Sequence, residues 1–147
     1  MTAPDPLAGF HEHLGVEFDE LTADRVTLRL DVRPELFQPY GIVHGGVYCT
    51  LVETAASVAA GLWYGERGQV VGVANHTNFL RPTWSGTLTA VATPIHRGHT
   101  QQLWLVEVRD GAGNVAARGE VRLANLSGAA QFEVPDRSGG ERTGRPS

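Results

Sequence analysis

Lysine is absent from this chain of 147 residues. All twelve basic residues are arginine, set against sixteen acids for a net charge of −4. That balance argues against a general nucleic-acid binder, which needs a basic surface. Arginine's planar fork suits phosphate, but the loss of every lysine is better explained by a bias in base composition. Cysteine is scarce too. A single Cys49 rules out an internal disulfide framework and fits a reducing compartment. The opening MTAPDPLAGFHEHLG has no basic start and no apolar run, so it does not read as a signal peptide. The most apolar stretch, Gly46 to Leu62, falls short of a membrane span and contains Glu53. Also missing are a G-x-S-x-G elbow, a Cys–His nucleophile pattern and a phosphate-binding glycine loop. His11/His13 and His96/His99 are the only close His pairs, with no Cys or acid at ligand spacing, so no metal is expected. A cytoplasmic protein of one domain is the natural reading.

What is present centres on Gln38 to Leu62, QPYGIVHGGVYCTLVETAASVAAGL. After Gly46 nearly every position is apolar or small, and the polar residues Thr50, Glu53, Thr54 and Ser57 recur at spacings of three and four. They share one face of a helix. One polar stripe on an apolar cylinder describes a buried central helix. A carboxylate there is costly unless it is paired, hydrogen-bonded or facing a cavity. His44-Gly45-Gly46 opens the helix, and its first N–H groups have no partner within it. They could polarise a carbonyl or hold an anion. A buried acid two turns from free N–H donors suits hydrolysis. The alternative is a tight turn followed by a core ion pair between Glu53 and a buried Arg or Tyr.

The rest of the chain reads as strands. Residues 1–7 form a loose arm, and Leu7 to Leu14 a short helix. Val26, Leu28, Leu30 and Val32 alternate with Arg25, Thr27, Arg29 and Asp31, and a turn at Ala23-Asp24 makes a first hairpin. Four more strands are expected over 69–80, 86–97, 101–110 and 114–125. Short connections imply antiparallel pairing. Six strands need something apolar against their inner face, and the helix is the only sizeable candidate. The domain is expected over 8–126, an α+β fold with a six-stranded sheet wrapped around one long helix. From Ser127 the composition turns to Gly, Ser, Arg and Pro, a mostly disordered tail.

Gln38, H-G-G at 44–46, Glu53 and N-F-L-R-P at 78–82 together resemble the hotdog-fold acyl-CoA thioesterases. The nearest pattern is that of the PaaI-like and Glu-type 4-hydroxybenzoyl-CoA group, over about residues 10 to 125. The resemblance implies an acyl-CoA substrate and no separate cofactor, coenzyme A being part of the substrate. It implies that the Gly45 N–H and the Gln38 amide polarise the thioester carbonyl. Glu53 then serves as general base or as nucleophile. His44, Gly46, Ser57 and Asn78 support them. It implies a homodimer or homotetramer whose sites combine Gln38 and Gly45 of one subunit with Glu53 of another, strand 69–80 lying at the interface. The phosphates of coenzyme A call for a local basic patch, with Arg81, Arg97, His99 and Arg118 as candidates. Phe37, Tyr48, Trp63, Tyr64 and Trp84 are available to shape an acyl pocket.

Two other readings compete. A hotdog hydratase or dehydratase would need an H-F-P-rich segment or an Asp–His motif, and neither occurs. A non-catalytic acyl-CoA sensor would not need Gln38, Gly45 and Glu53 intact.

Overall fold

The computed structural model describes residues 9–128. The expected arm over 1–7 and nearly all of the expected tail lie outside the described residues. A short helix α1 (Phe10–Leu14) leads into a hairpin of β1 (Glu17–Leu21) and β2 (Val26–Asp31). A single 3-10 turn at Pro34–Leu36 precedes the long helix α2 (Gly45–Tyr64). Four strands follow: β3 (Gly68–Phe79), β4 (Thr87–Arg97), β5 (Gln101–Arg109) and β6 (Val115–Ser127). The sheet is antiparallel throughout, in the order β1-β2-β4-β5-β6-β3. It wraps around α2, which packs against all six strands. This is the hotdog fold.

Small side chains let the sheet close on the helix. Ala55, Ala56, Ala59 and Ala60 are fully buried against Leu28, Leu88, Trp104, Val106 and Leu123. Gly119 of β6 marks one close approach, since a β-carbon there would stand 2.8 Å from Val52 Cγ1. Inward alternation on β2, β4, β5 and β6 supplies the apolar inner face, as the period-two pattern predicts.

Most strand ends differ from the sequence reading by a residue or two and α1 starts at Phe10 instead of Leu7; two differences matter more. β6 runs on to Ser127, past the expected end of the domain. The central helix is 20 residues long and, with the turn that follows, is long and apolar enough to cross a membrane. The expectation that it falls short is therefore wrong on length. Its apolar face is instead occupied by the sheet. The extension is held by Arg67, whose Nε donates to Tyr64 O at 2.8 Å and whose Nη2 donates to Trp63 O at 2.6 Å. Its guanidinium also lies over the Trp63 ring, 4.3 Å from the centroid.

Three polar side chains at one end of the core, Gln102, Trp104 and Asn125, are joined in a network. Gln102 is fully buried; its Nε2 donates to Asn125 Oδ1 at 2.7 Å and its Oε1 accepts from Trp104 Nε1 at 2.8 Å. Asn125 Nδ2 in turn donates to Gly98 O and His99 O in the β4–β5 turn.

Candidate active site

The helix N-terminus is prepared by the loop before it. Val43 N donates to Thr83 O at 2.8 Å and His44 N to Leu36 O at 2.9 Å, which fixes the direction of the chain into α2. His44 is the N-cap: its Nδ1 accepts from Gly46 N at 2.8 Å and its carbonyl from Val47 N at 2.9 Å. Two of the first three helical N–H groups are thus satisfied. The Gly45 N–H has no partner among the described residues. It is left as the donor that the helix dipole favours for an oxyanion. The Phe79 ring packs over Gly45, 2.8 Å from where a β-carbon would sit, so a larger residue at 45 would have to displace that ring. Gln38 turns back on its own loop, its Oε1 accepting from Tyr40 N, and its Nε2 is available to donate.

Two turns further along, Glu53 is half-buried. Its Oε2 accepts from Asn75 Nδ2 at 3.1 Å, and its Oε1 lies 3.4 Å from Ser57 Oγ. No basic side chain and no tyrosine pairs with it among the described residues, so the core ion-pair reading does not hold. Asn75 was missed as a site residue. Its direction depends on a bulge between Gly72 and Ala74 in the pairing with β6. Beyond the bulge Asn75, Thr77 and Phe79 turn inward, whereas Asn78 stands beside Arg118 on the outer face. The only signal in the sequence was the polar run Asn75-His76-Thr77-Asn78 inside an apolar strand.

The four candidate cations do not form one patch in a single chain. Arg97 donates to Asp24 Oδ1 at 2.7 Å and to Ala23 O at 3.1 Å, and lies over the Trp63 and Trp104 rings. His99 is in the β4–β5 turn at the same end. Arg81 and Arg118 are at the opposite end, where Phe79 pairs with Ala117 and covers Gly45. Asp110 lies in that region too. Its carboxyl is held below the usual range, first by the Asn114 N–H and then by further hydrogen bonds from Ala112 N and the Asn114 amide and by the Arg81 charge.

Beside His44 and Gly46 a cleft of about 310 Å³ is lined by Phe10, Leu14, Leu36, Phe37, Val47 and Thr50. Of the aromatic candidates only Phe37 lines it. Tyr48 is in the core, Trp63 and Tyr64 stack with Arg67, and Trp84 is exposed on a loop. A larger cleft of about 420 Å³ lies on the outer sheet face by His76, His96 and Arg122. It contains neither Gly45 nor Glu53.

The class of protein follows from comparison as well as geometry. The family profile of the thioesterase superfamily matches residues 40–117. The Mycobacterium tuberculosis protein Rv1847, whose name assigns it provisionally to the esterases, is 50% identical over 130 residues, 84% of this chain and 93% of that one. The crystal structure of S. sahachiroi AziG superposes with a TM-score of 0.80 at 51% identity, covering 82% of this chain and 98% of that one. A 1,4-dihydroxy-2-naphthoyl-CoA hydrolase of Listeria monocytogenes is 32% identical over 69% of this chain and 83% of that one. The chain belongs to the thioesterase superfamily, as a thioester hydrolase of the hotdog fold.

Proposed function

We propose that the chain hydrolyses an acyl-CoA thioester to the free acid and coenzyme A, at a site completed by a second copy. The observation that carries this is a distance. Gly45 and Glu53 are eight residues apart on one helix, about 12 Å along its axis at 1.5 Å per residue. A carbonyl hydrogen-bonded to the Gly45 N–H is out of reach of the Glu53 carboxylate of the same chain. Both groups lie along β3, Gly45 under Phe79 and Glu53 against Gly72. β3 is an edge strand of 12 residues with Val73 and Phe79 exposed, as is Leu80 just beyond it. Such an edge invites a partner. Antiparallel pairing of two β3 edges about a two-fold near their middle sets the Gly45 end of one chain against the Glu53 end of the other.

In that site the Gly45 N–H and Gln38 Nε2 hold the thioester oxygen. A preorganised donor of this kind contributes about 3 kcal/mol to the transition state. Glu53 of the other copy takes a proton from the attacking water, as a general base. Arg81 and Arg118 meet the phosphates of coenzyme A at the same end of the sheet, with Asn78 beside them. On this reading the reaction is cytoplasmic and uses no separate cofactor, coenzyme A being part of the substrate. The relative that hydrolyses a bicyclic aroyl-CoA and the Phe37 wall of the cleft support an aromatic acyl group.

A thiol-release screen with acetyl-, octanoyl-, phenylacetyl- and benzoyl-CoA tests the activity, and no free coenzyme A from any of them would overturn it. Subunit mixing tests the shared site. A Gln38→Ala chain and a Glu53→Gln chain, each nearly inactive, should regain about a quarter of wild-type activity after equal mixing. Half of the re-formed dimers are then mixed, and each mixed dimer carries one complete site of two.

A further inference from the structure

The two oxygens of Glu53 are in different environments, and the edge strand makes them so. We propose that Thr77 and Asn75 form a positioning relay that anchors Glu53 Oε2 and leaves Oε1 as the oxygen that meets the water. This rests on the reading of Glu53 as the hydrolytic base and adds to it two residues that do not touch substrate.

An amide NH2 has two hydrogens, and those of Asn75 are both engaged, one with Cys49 O at 3.2 Å and one with Glu53 Oε2 at 3.1 Å. The orientation of the amide is set from its other side. Thr77 Oγ1 donates to Asn75 Oδ1 at 2.7 Å, so the oxygen and nitrogen of Asn75 cannot exchange places without losing that bond. Thr77 is placed by Gly119, its partner across the β3–β6 pairing. A β-carbon on Gly119 would stand 2.6 Å from the Thr77 hydroxyl, so the hydroxyl occupies the space that the missing side chain leaves. The chain of contacts runs from β6 through Thr77 and Asn75 to the carboxylate, with a charge-assisted hydrogen bond at its end.

Oε1 is held differently. Among the described residues its one hydrogen-bonding neighbour is the Ser57 hydroxyl at 3.4 Å, a long contact, and it rests against the bare backbone of Gly72. It keeps most of its capacity to accept a proton from water. A carboxylate anchored through one oxygen presents the other in a constant direction, and small errors in such alignment cost large factors in rate. On a flexible Glu side chain that anchor matters most.

The test compares Thr77→Val, Thr77→Ser, Asn75→Leu and Glu53→Gln in the full chain, with benzoyl-CoA and octanoyl-CoA as substrates and a melting curve for each. Thr77→Val keeps the shape of the side chain and removes the hydroxyl; Thr77→Ser keeps the hydroxyl. Thr77→Val and Asn75→Leu should lower kcat by about tenfold to a hundredfold with KM within about twofold. Thr77→Ser should stay within about threefold of wild type. Because Thr77→Val is nearly isosteric, the Val/Ser pair decides the matter even where Asn75→Leu fails to fold. Wild-type kcat in Thr77→Val overturns the relay, and so does a Thr77→Ser as impaired as Thr77→Val, since packing would then be the cause. Glu53→Gln separates the two levels. If it is inactive while Thr77→Val and Asn75→Leu turn over normally, the relay alone fails; if it is active, the underlying reading fails.

Discussion

Gly72 lies directly against the Glu53 carboxylate: a β-carbon on Gly72 would stand 3.3 Å from Glu53 Cδ and closer still to Oε1. The requirement for glycine is one of space, since its backbone is not in the left-handed region. Gly72→Ala should push the carboxylate aside and cut turnover by about tenfold or more. The atom displaced is the end of a flexible side chain, so the melting temperature should change by only a few degrees. Normal turnover in that variant would show that the Glu53 position seen here is not the working one.

Glu53→Gln keeps the volume and can still accept from Asn75. Turnover should fall at least about a hundredfold, the low end for loss of a general base. Stability should hold or rise, because no cation among the described residues compensates the half-buried carboxylate. An unstable protein with normal turnover per folded molecule would retire the catalytic reading.

Gln102 should matter to folding and not to chemistry. Gln102→Leu fills a similar volume but leaves Trp104 Nε1–H without its acceptor and Asn125 Oδ1 without its donor. The cost should be about 2 kcal/mol, read as an earlier denaturant midpoint with an unchanged slope. Turnover per folded molecule should be that of wild type.

Alkaline stability should depend on Tyr48. Burial raises its phenol above the ordinary 10.0, against a lowering by the Thr83 hydroxyl and with a small further rise from the Asp110 charge. A raised value means that the unfolded chain releases this proton first. The stabilisation is complete below about pH 10 and is lost as pH rises through the folded-state value. Denaturation of wild type should therefore ease above pH 10 more steeply than that of Tyr48→Phe. Parallel curves for the two would count against the burial of the hydroxyl.

Much of this architecture is legible before any coordinates. Val26, Leu28 and Leu30 show a strand with one buried face because a pleated backbone alternates its side chains. Glu53 stands out because a carboxylate among Leu51, Val52, Ala55 and Ala56 demands a reason. Gly45 is legible from the helix start it occupies, although His44 turned out to cap Gly46 and so to leave Gly45 as the free donor. The helix end was less clear. The apolar stretch reads as ending at Leu62, but Trp63 and Tyr64 stay helical, their carbonyls bonded and their rings covered by Arg67.

Local sequence determined the period of each strand, the apolar helix and the presence of one acid and one open N–H along it, since each of these depends only on neighbours within a turn or a pleat. Which residues meet that acid was decided by the tertiary structure. Counting by twos from Gly72 points Ala74 and His76 inward. The bulge against β6 shifts the count by one, so that Asn75 reaches Glu53 and Thr77 reaches Asn75. A bulge is set by how two strands far apart in the chain pair, here with β4 and β5 between them, and a single strand read alone carries no record of it.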